Sequence, residues 1–117
     1  MKAVGIDNLR DHSLLVVRSR ALHRAVAEKI RAHPELLAVA RQNVERWIAE
    51  EQKHGGVSPG LLEWQRILST LAVEEILELL CEETDEADRL RHSTPFCGIL
   101  TEPEREAIYR HYAALPA

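Results

Sequence analysis

Cysteine, aromatic residues and long apolar runs are all scarce in this chain. Two cysteines, Cys81 and Cys97, cannot build a disulfide framework in 117 residues, and their small number points to a reducing, cytoplasmic setting. No stretch approaches the roughly 18 apolar residues that a membrane span needs. The opening residues carry Asp7 and Asp11 and no apolar core, so a secretory signal is not expected. Five aromatic residues (Trp47, Trp64, Phe96, Tyr109 and Tyr112) leave the core to aliphatic side chains. The glycines do not fall into a phosphate-binding fingerprint, and no Gly-Lys-Ser/Thr occurs.

Metal and nucleophile patterns are equally thin. Six histidines are present, but no Cys-x-x-Cys or His-x-x-x-His pair aims two ligands at one ion. Cys81, His92 and Cys97 are the one set worth testing against a zinc site, with unpaired thiols as the default. Glu74, Glu78 and Glu82 recur every four residues, yet the Glu-x-x-His partner of a di-iron bundle is missing, so this stripe reads as solvent-facing. Cys97 near His92 is not anchored by a catalytic motif. The expectation is a non-catalytic protein with no cofactor and no metal.

What is present is helical periodicity, and it indicates an all-α fold: a compact bundle of five or six short helices. One helical domain is expected over 1–117, with 1–12 as a flexible or irregular N-terminal segment. Leu15, Leu22, Val26 and Ile30 form a 3.6-residue stripe. Ser13 or Ser19 is a candidate cap there, and Leu14–Val17 is open to either helix or strand. Pro34 ends that helix and suits the first turn of the next, whose apolar face holds Leu36, Leu37, Ala40, Val44, Trp47 and Ile48. Gly55-Gly56 closes it. Ser58-Pro59 starts a third helix with Leu61, Trp64, Leu68 and Leu71 inward, and Trp64 is expected to pack on Trp47. Thr70 is the candidate cap of a fourth helix through Val73, Ile76, Leu77 and Leu80. Thr84 caps a short fifth over Asp85–His92, and Ser93–Leu100 reads as a structured loop. Thr101-Glu102-Pro103-Glu104 matches a capping box, with Ile108, Tyr112 and Leu115 inward beyond it.

Charge is distributed unevenly along the chain. Residues 1–54 hold ten Lys/Arg against seven Asp/Glu, a net of +3, and residues 55–117 hold five Arg against twelve acids, a net of −7. Eight acids fall between Glu74 and Asp88 with no Lys or Arg among them before Arg89. Two partner surfaces follow from this. An acidic one comprises Glu82, Glu83, Asp85 and Glu86, with Arg91, Phe96 and Leu100 as candidate anchors for a basic protein partner, against which stands ordinary core packing as the plainer reading of each. A basic one comprises Arg18, Arg20, Arg24 and Arg31 on the first helix, which would meet nucleic-acid phosphates. Against the latter stands a plain solvated face, with Glu28 pairing to Arg24. The third and fourth helices have the outline of a helix-turn-helix, but the second would carry Glu74, Glu75, Glu78, Glu82 and Glu83 into an anionic groove.

Over Ser19-Arg20-Ala21-Leu22-His23-Arg24-Ala25-Val26-Ala27, and again over Leu90-Arg91-His92-Ser93-Thr94-Pro95-Phe96-Cys97-Gly98-Ile99-Leu100, the chain is similar to small helical bacterial proteins encoded beside toxins. It resembles the antitoxin component of toxin–antitoxin pairs, among them those with nucleotidyltransferase-like toxins. The resemblance spans about residues 19–110. It implies a protein that neutralises a cognate toxin by direct binding and catalyses nothing itself. The N-terminal DNA-binding fold of many antitoxins has no counterpart here. A DNA-binding regulator using the basic first helix is the alternative, and a self-associating scaffold the third reading.

Overall fold

The computed structural model describes the backbone of residues 2–113 and the side chains of residues 13–113. Six helices follow one another: α1 (Lys2–Ala32), α2 (Leu37–Gln52), α3 (Pro59–Thr70), α4 (Val73–Cys81), α5 (Asp85–Arg91) and α6 (Glu102–Ala113). One 3-10 turn, Pro34–Leu36, leads into α2. Among the described residues there is no strand, so the architecture is an all-α bundle. Leu14–Val17 is helical, and the backbone over 2–12 is helical where an irregular segment was expected. No proline interrupts residues 2–32, and Gly5 alone costs only about 1 kcal/mol of helix propensity. Ser13 and Ser19 therefore lie inside α1 and cap nothing. Leu115 falls outside the described residues.

The helix boundaries follow from local chemistry. Thr84 caps α5, its hydroxyl accepting from the Ala87 N–H at 3.2 Å. At α6 the capping box closes in both directions: Glu104 accepts from the Thr101 N–H at 2.7 Å, and Thr101 Oγ1 accepts from the Glu104 N–H at 3.2 Å. Thr70 does not cap α4, because its hydroxyl donates back to the Arg66 carbonyl at 2.7 Å. The cap position passes to Ala72, whose N–H is taken by the Glu75 carboxylate at 2.9 Å. Gly55, at φ 97°, supplies the left-handed residue beyond the end of α2.

The core is aliphatic, as the aromatic shortage required. Val26, Ala27 and Ile30 from α1 meet Ile76, Leu77 and Leu80 from α4, while Leu37, Ala40, Val44 and Ile48 from α2 meet Leu61, Ile67 and Leu68 from α3. Its aromatic centre differs from the expected tryptophan pair. Trp64 packs edge-on against Phe96, with ring centroids 5.4 Å apart, and its indole N–H donates to the Leu90 carbonyl at 2.8 Å. Trp47 is only half-buried.

Phe96 reaches that position because residues 93–100 form a plug rather than a surface loop. Pro95, Phe96 and Ile99 are all buried. A buried loop must have its carbonyls satisfied, and Asn43 on α2 does this, donating to the carbonyls of Pro95 (2.8 Å) and Cys97 (2.9 Å). Arg46 in turn donates to Asn43 Oδ1 at 2.8 Å and fixes the amide's orientation. Gly98, at φ 89°, turns the chain where an L side chain would be strained.

Helix α6 is held differently from the rest. None of its side chains is buried. It lies on α1 through a Lys29–Glu104 ion pair of 2.7 Å and the Arg18 guanidinium, 4.4 Å above the Tyr109 ring centroid.

Candidate functional site

The two surfaces of opposite sign expected from the sequence face each other within the fold. Arg20 grips Asp88 with both arms of its guanidinium, Nε to Oδ1 at 3.0 Å and Nη2 to Oδ2 at 2.7 Å. Arg24 reaches Glu83 at 3.2 Å, not the expected Glu28, and Arg31 approaches Glu74 at 3.9 Å. Arg18 is on the Tyr109 ring. The arginine strip of α1 is therefore opposed, residue by residue, by α4, by the turn after it, by α5 and by α6. Packing α1 against α4 and α5 brings these charges within reach of one another.

The acidic set divides accordingly. Glu82, Glu83, Asp85 and Glu86 are all exposed, as expected. Glu83 is engaged by Arg24, and Glu86 by Arg89, which also holds Glu63 at 3.0 Å. The Arg89 guanidinium holds both carboxyls below their ordinary range. Glu78, Glu82 and Asp85 have no ion pair among the described residues. With Glu75, whose carboxylate takes only the Ala72 N–H, they form the part of the acidic surface that no described cation balances.

The expected anchors behave otherwise. Phe96 is 4% exposed and Arg91 2%, so neither is presented to a partner. Leu100 is half-buried. Phe96 is inside because Trp64 offers an aromatic edge contact. Arg91 is inside because three groups await it: the Leu79 carbonyl at 2.8 Å, the Leu80 carbonyl at 3.5 Å, and Asp88 Oδ1 at 2.6 Å. A cation on the last carbonyls of α4 also meets the negative end of that helix. Its Nε–H has no acceptor in the structure.

Asp88 is thus the hub of a small charge network, linking Arg20 on α1 with Arg91, which itself holds the end of α4. The Arg20 hydrogen bonds, with a further contribution from Arg91, hold its carboxyl below the usual carboxylate range. Beside this hub lies His23, 6% exposed. Its Nδ1 is 2.8 Å from the Ser19 carbonyl, which can only accept, so Nδ1 carries the proton. Nε2 then accepts from the Thr94 hydroxyl at 2.9 Å, tying the plug to α1. Burial, reinforced by the Arg91 charge, lowers the His23 pKa from 6.5 and keeps the ring neutral.

Arg20 and Arg91 stand out in the sequence as members of two separate surfaces, but their convergence on Asp88 and the place of His23 and Thr94 beside them do not. His23 and Thr94 are 71 positions apart, and Arg20 and Asp88 are 68 apart, so no local pattern marks either pair. One signal was available in the i, i+3 spacing of Asp88 and Arg91 on a predicted helix. A cavity of about 360 Å³ opens beside the cluster, between α1, α5, residues 92–94 and Tyr109 of α6.

The chain matches no family model, no curated protein and no solved structure. Cys81 and Cys97 are both exposed free thiols, and no group of three His, Cys, Asp or Glu able to hold a metal occurs among the described residues. The Cys81–His92–Cys97 set is therefore not assembled. No described helix is long and apolar enough to cross a membrane.

Proposed function

We propose that this chain is a non-catalytic protein-recognition module of the antitoxin kind, acting in the cytoplasm on a partner with a basic surface. The observation that carries this reading is the asymmetry left after folding. Arg20, Arg24 and Arg31 each already face a carboxylate, whereas Glu78, Glu82 and Asp85 remain exposed without a cation among the described residues. A phosphate backbone approaching α1 would have to displace carboxylates from those arginines. A basic protein surface approaching the end of α4 and the start of α5 would displace only water, and opposite charge would steer its encounter. The resemblance over residues 19–27 and 90–100 makes a cognate toxin the expected partner.

Recognition in this reading centres on Glu78, Glu82 and Asp85, with Glu83 and Glu86 at the margin. Phe96 and Arg91 contribute by holding the surface in shape. The test is co-expression with the neighbouring reading frame, followed by co-purification with the wild type and with a Glu78→Lys, Glu82→Lys, Asp85→Lys variant. Growth arrest relieved by the wild type but not by the folded triple variant is the expected result. Unimpaired rescue by the variant would overturn the placement of the surface. Absence of any co-purifying protein, together with salt-steep binding of duplex DNA weakened by Arg20→Ala and Arg24→Ala, would overturn the function itself.

A further inference from the structure

The lining of the cavity beside Asp88 carries a positive charge that no described carboxylate balances. Its apolar walls are Leu15, Val16 and Leu22 from α1 and Tyr109 from α6. Its polar lining includes Arg18, Arg91, Asp88, His23 and Thr94. Asp88 is the sole carboxylate among the lining residues, and both of its oxygens are already taken, by Arg20 and by Arg91. Arg20 does not line this space, and Glu83 and Asp85 act on it from outside the cavity. Within the lining Arg91 therefore balances Asp88, and Arg18 is left as a positive charge without a carboxylate among the lining residues. His23 is neutral and adds nothing to the balance.

A second observation points the same way. Arg91 is almost wholly buried, lines the cavity, and leaves its Nε–H without an acceptor. A buried donor on a charged group is costly when unmatched. Arg18 supplies a further set of donors, its guanidinium lying over the face of Tyr109 and in no ion pair among the described residues. A volume of about 360 Å³ lies within the range of small-molecule sites. On the α6 side it is closed by Tyr109 alone, which is itself exposed.

We propose that this cavity binds a small carboxylate with an apolar body. The carboxylate accepts from Arg18 and offsets its charge beside the Asp88–Arg91 pair, while the hydrocarbon part lies along Leu15, Leu22 and Tyr109. This site is separate from the acidic surface of α4 and does not depend on the protein-recognition reading.

The experiment is a titration of the full chain, labelled with 15N and followed at the arginine Nε–H and backbone amide resonances. Octanoate and 3-phenylpropionate are the probes, with octanamide as the uncharged control. Saturable movement of the Arg91 Nε–H resonance and of amides in α1 and α6 is expected with the carboxylates. Octanamide should bind more weakly by about tenfold or more, as should octanoate to Arg18→Gln, since each comparison removes a charge-assisted hydrogen bond. Leu22→Trp, at a half-buried position on the wall, fills the space and should abolish binding with the helical spectrum intact. Glu78→Lys with Glu82→Lys should leave it unchanged. Equal binding of octanamide, an unaltered affinity in Arg18→Gln, or an Arg91 resonance that does not move would each overturn the proposal.

Discussion

Replacing Asp88 by alanine tests the charge network most directly. The substitution removes the carboxylate shared by Arg20 and Arg91 and leaves two cations with unequal fates. Arg20, whose side chain is 26% exposed, can turn toward water, whereas Arg91, at 1%, cannot. Breaking a buried ion pair from one side costs about 3–5 kcal/mol, because the remaining charge is stranded. Asp88 is itself 16% exposed and Arg91 keeps the Leu79 carbonyl, which places Asp88→Ala at the low end, about 3 kcal/mol. In a domain of this size that corresponds to a Tm lower by about 10–15 °C, or a urea midpoint lower by about 1–2 M. Arg20→Ala should cost distinctly less, since Asp88 then keeps Arg91 as its partner. A double-mutant cycle on Arg20 and Asp88 separates the direct pair from the stranding of Arg91. The acid limb provides a second readout. Because the Asp88 pKa is lowered on folding, its contribution is complete above the unfolded value of 3.8 and is lost as pH falls through the depressed folded value. That loss should be absent from Asp88→Ala. Equal costs for Arg20→Ala and Asp88→Ala, or a loss under about 1 kcal/mol for the latter, would refute the assignment of Asp88 as the hub.

Other expectations follow from the same structure. Phe96→Ala should destabilise the fold by about 3–5 kcal/mol, through loss of the Trp64 contact and the cavity left behind, and chemical denaturation measures it. A folded Phe96→Ala protein that had merely lost partner affinity would contradict its place in the core. His23 titrates with the opposite charge but the same sign of slope. Its folded pKa lies below 6.5, so the unfolded chain takes up the proton first, and stability should decline as pH falls from about 6.5 toward the folded value. His23→Gln should flatten urea midpoints measured between neutral and mildly acidic pH. At Gly60 an added Cβ would clash with Ser93 Oγ and lie 2.8 Å from Ser93 Cβ. Gly60→Ala should therefore cost about 1–3 kcal/mol, and Ser93→Gly in the same chain should restore most of it, as thermal denaturation would show.

The helices were legible in the residues because their signals are local. A 3.6-residue apolar stripe, a proline at a first turn, a Thr-x-x-Glu box and a glycine after a last turn act over a few residues. Five of the six helices begin and end close to where those signals stand. The start of α1 lacked such a signal, and its helix extends further back than the stripe indicated. The same scarcity of aromatic residues that forced an aliphatic core left one aromatic pair at its centre. Which two rings would meet was not legible, since Trp47 and Trp64 both lie on inward stripes and Phe96 lies in a loop.

Function was less legible because charge complementarity acts through space. Read along the chain, the arginines of α1 and the acids between Glu74 and Asp88 are two surfaces in search of two partners. Packing α1 against α4 and α5 makes several of them partners of each other, across 43 to 68 positions of sequence. Glu78, Glu82 and Asp85 stay outside that pairing. Arg91 passes from surface anchor to buried cap because the carbonyls at the end of α4 and the Asp88 carboxylate converge on it. No periodicity encodes that convergence. Tertiary structure decided it, since burial of a cation depends on how many acceptors the fold gathers around it, and those acceptors come from different helices.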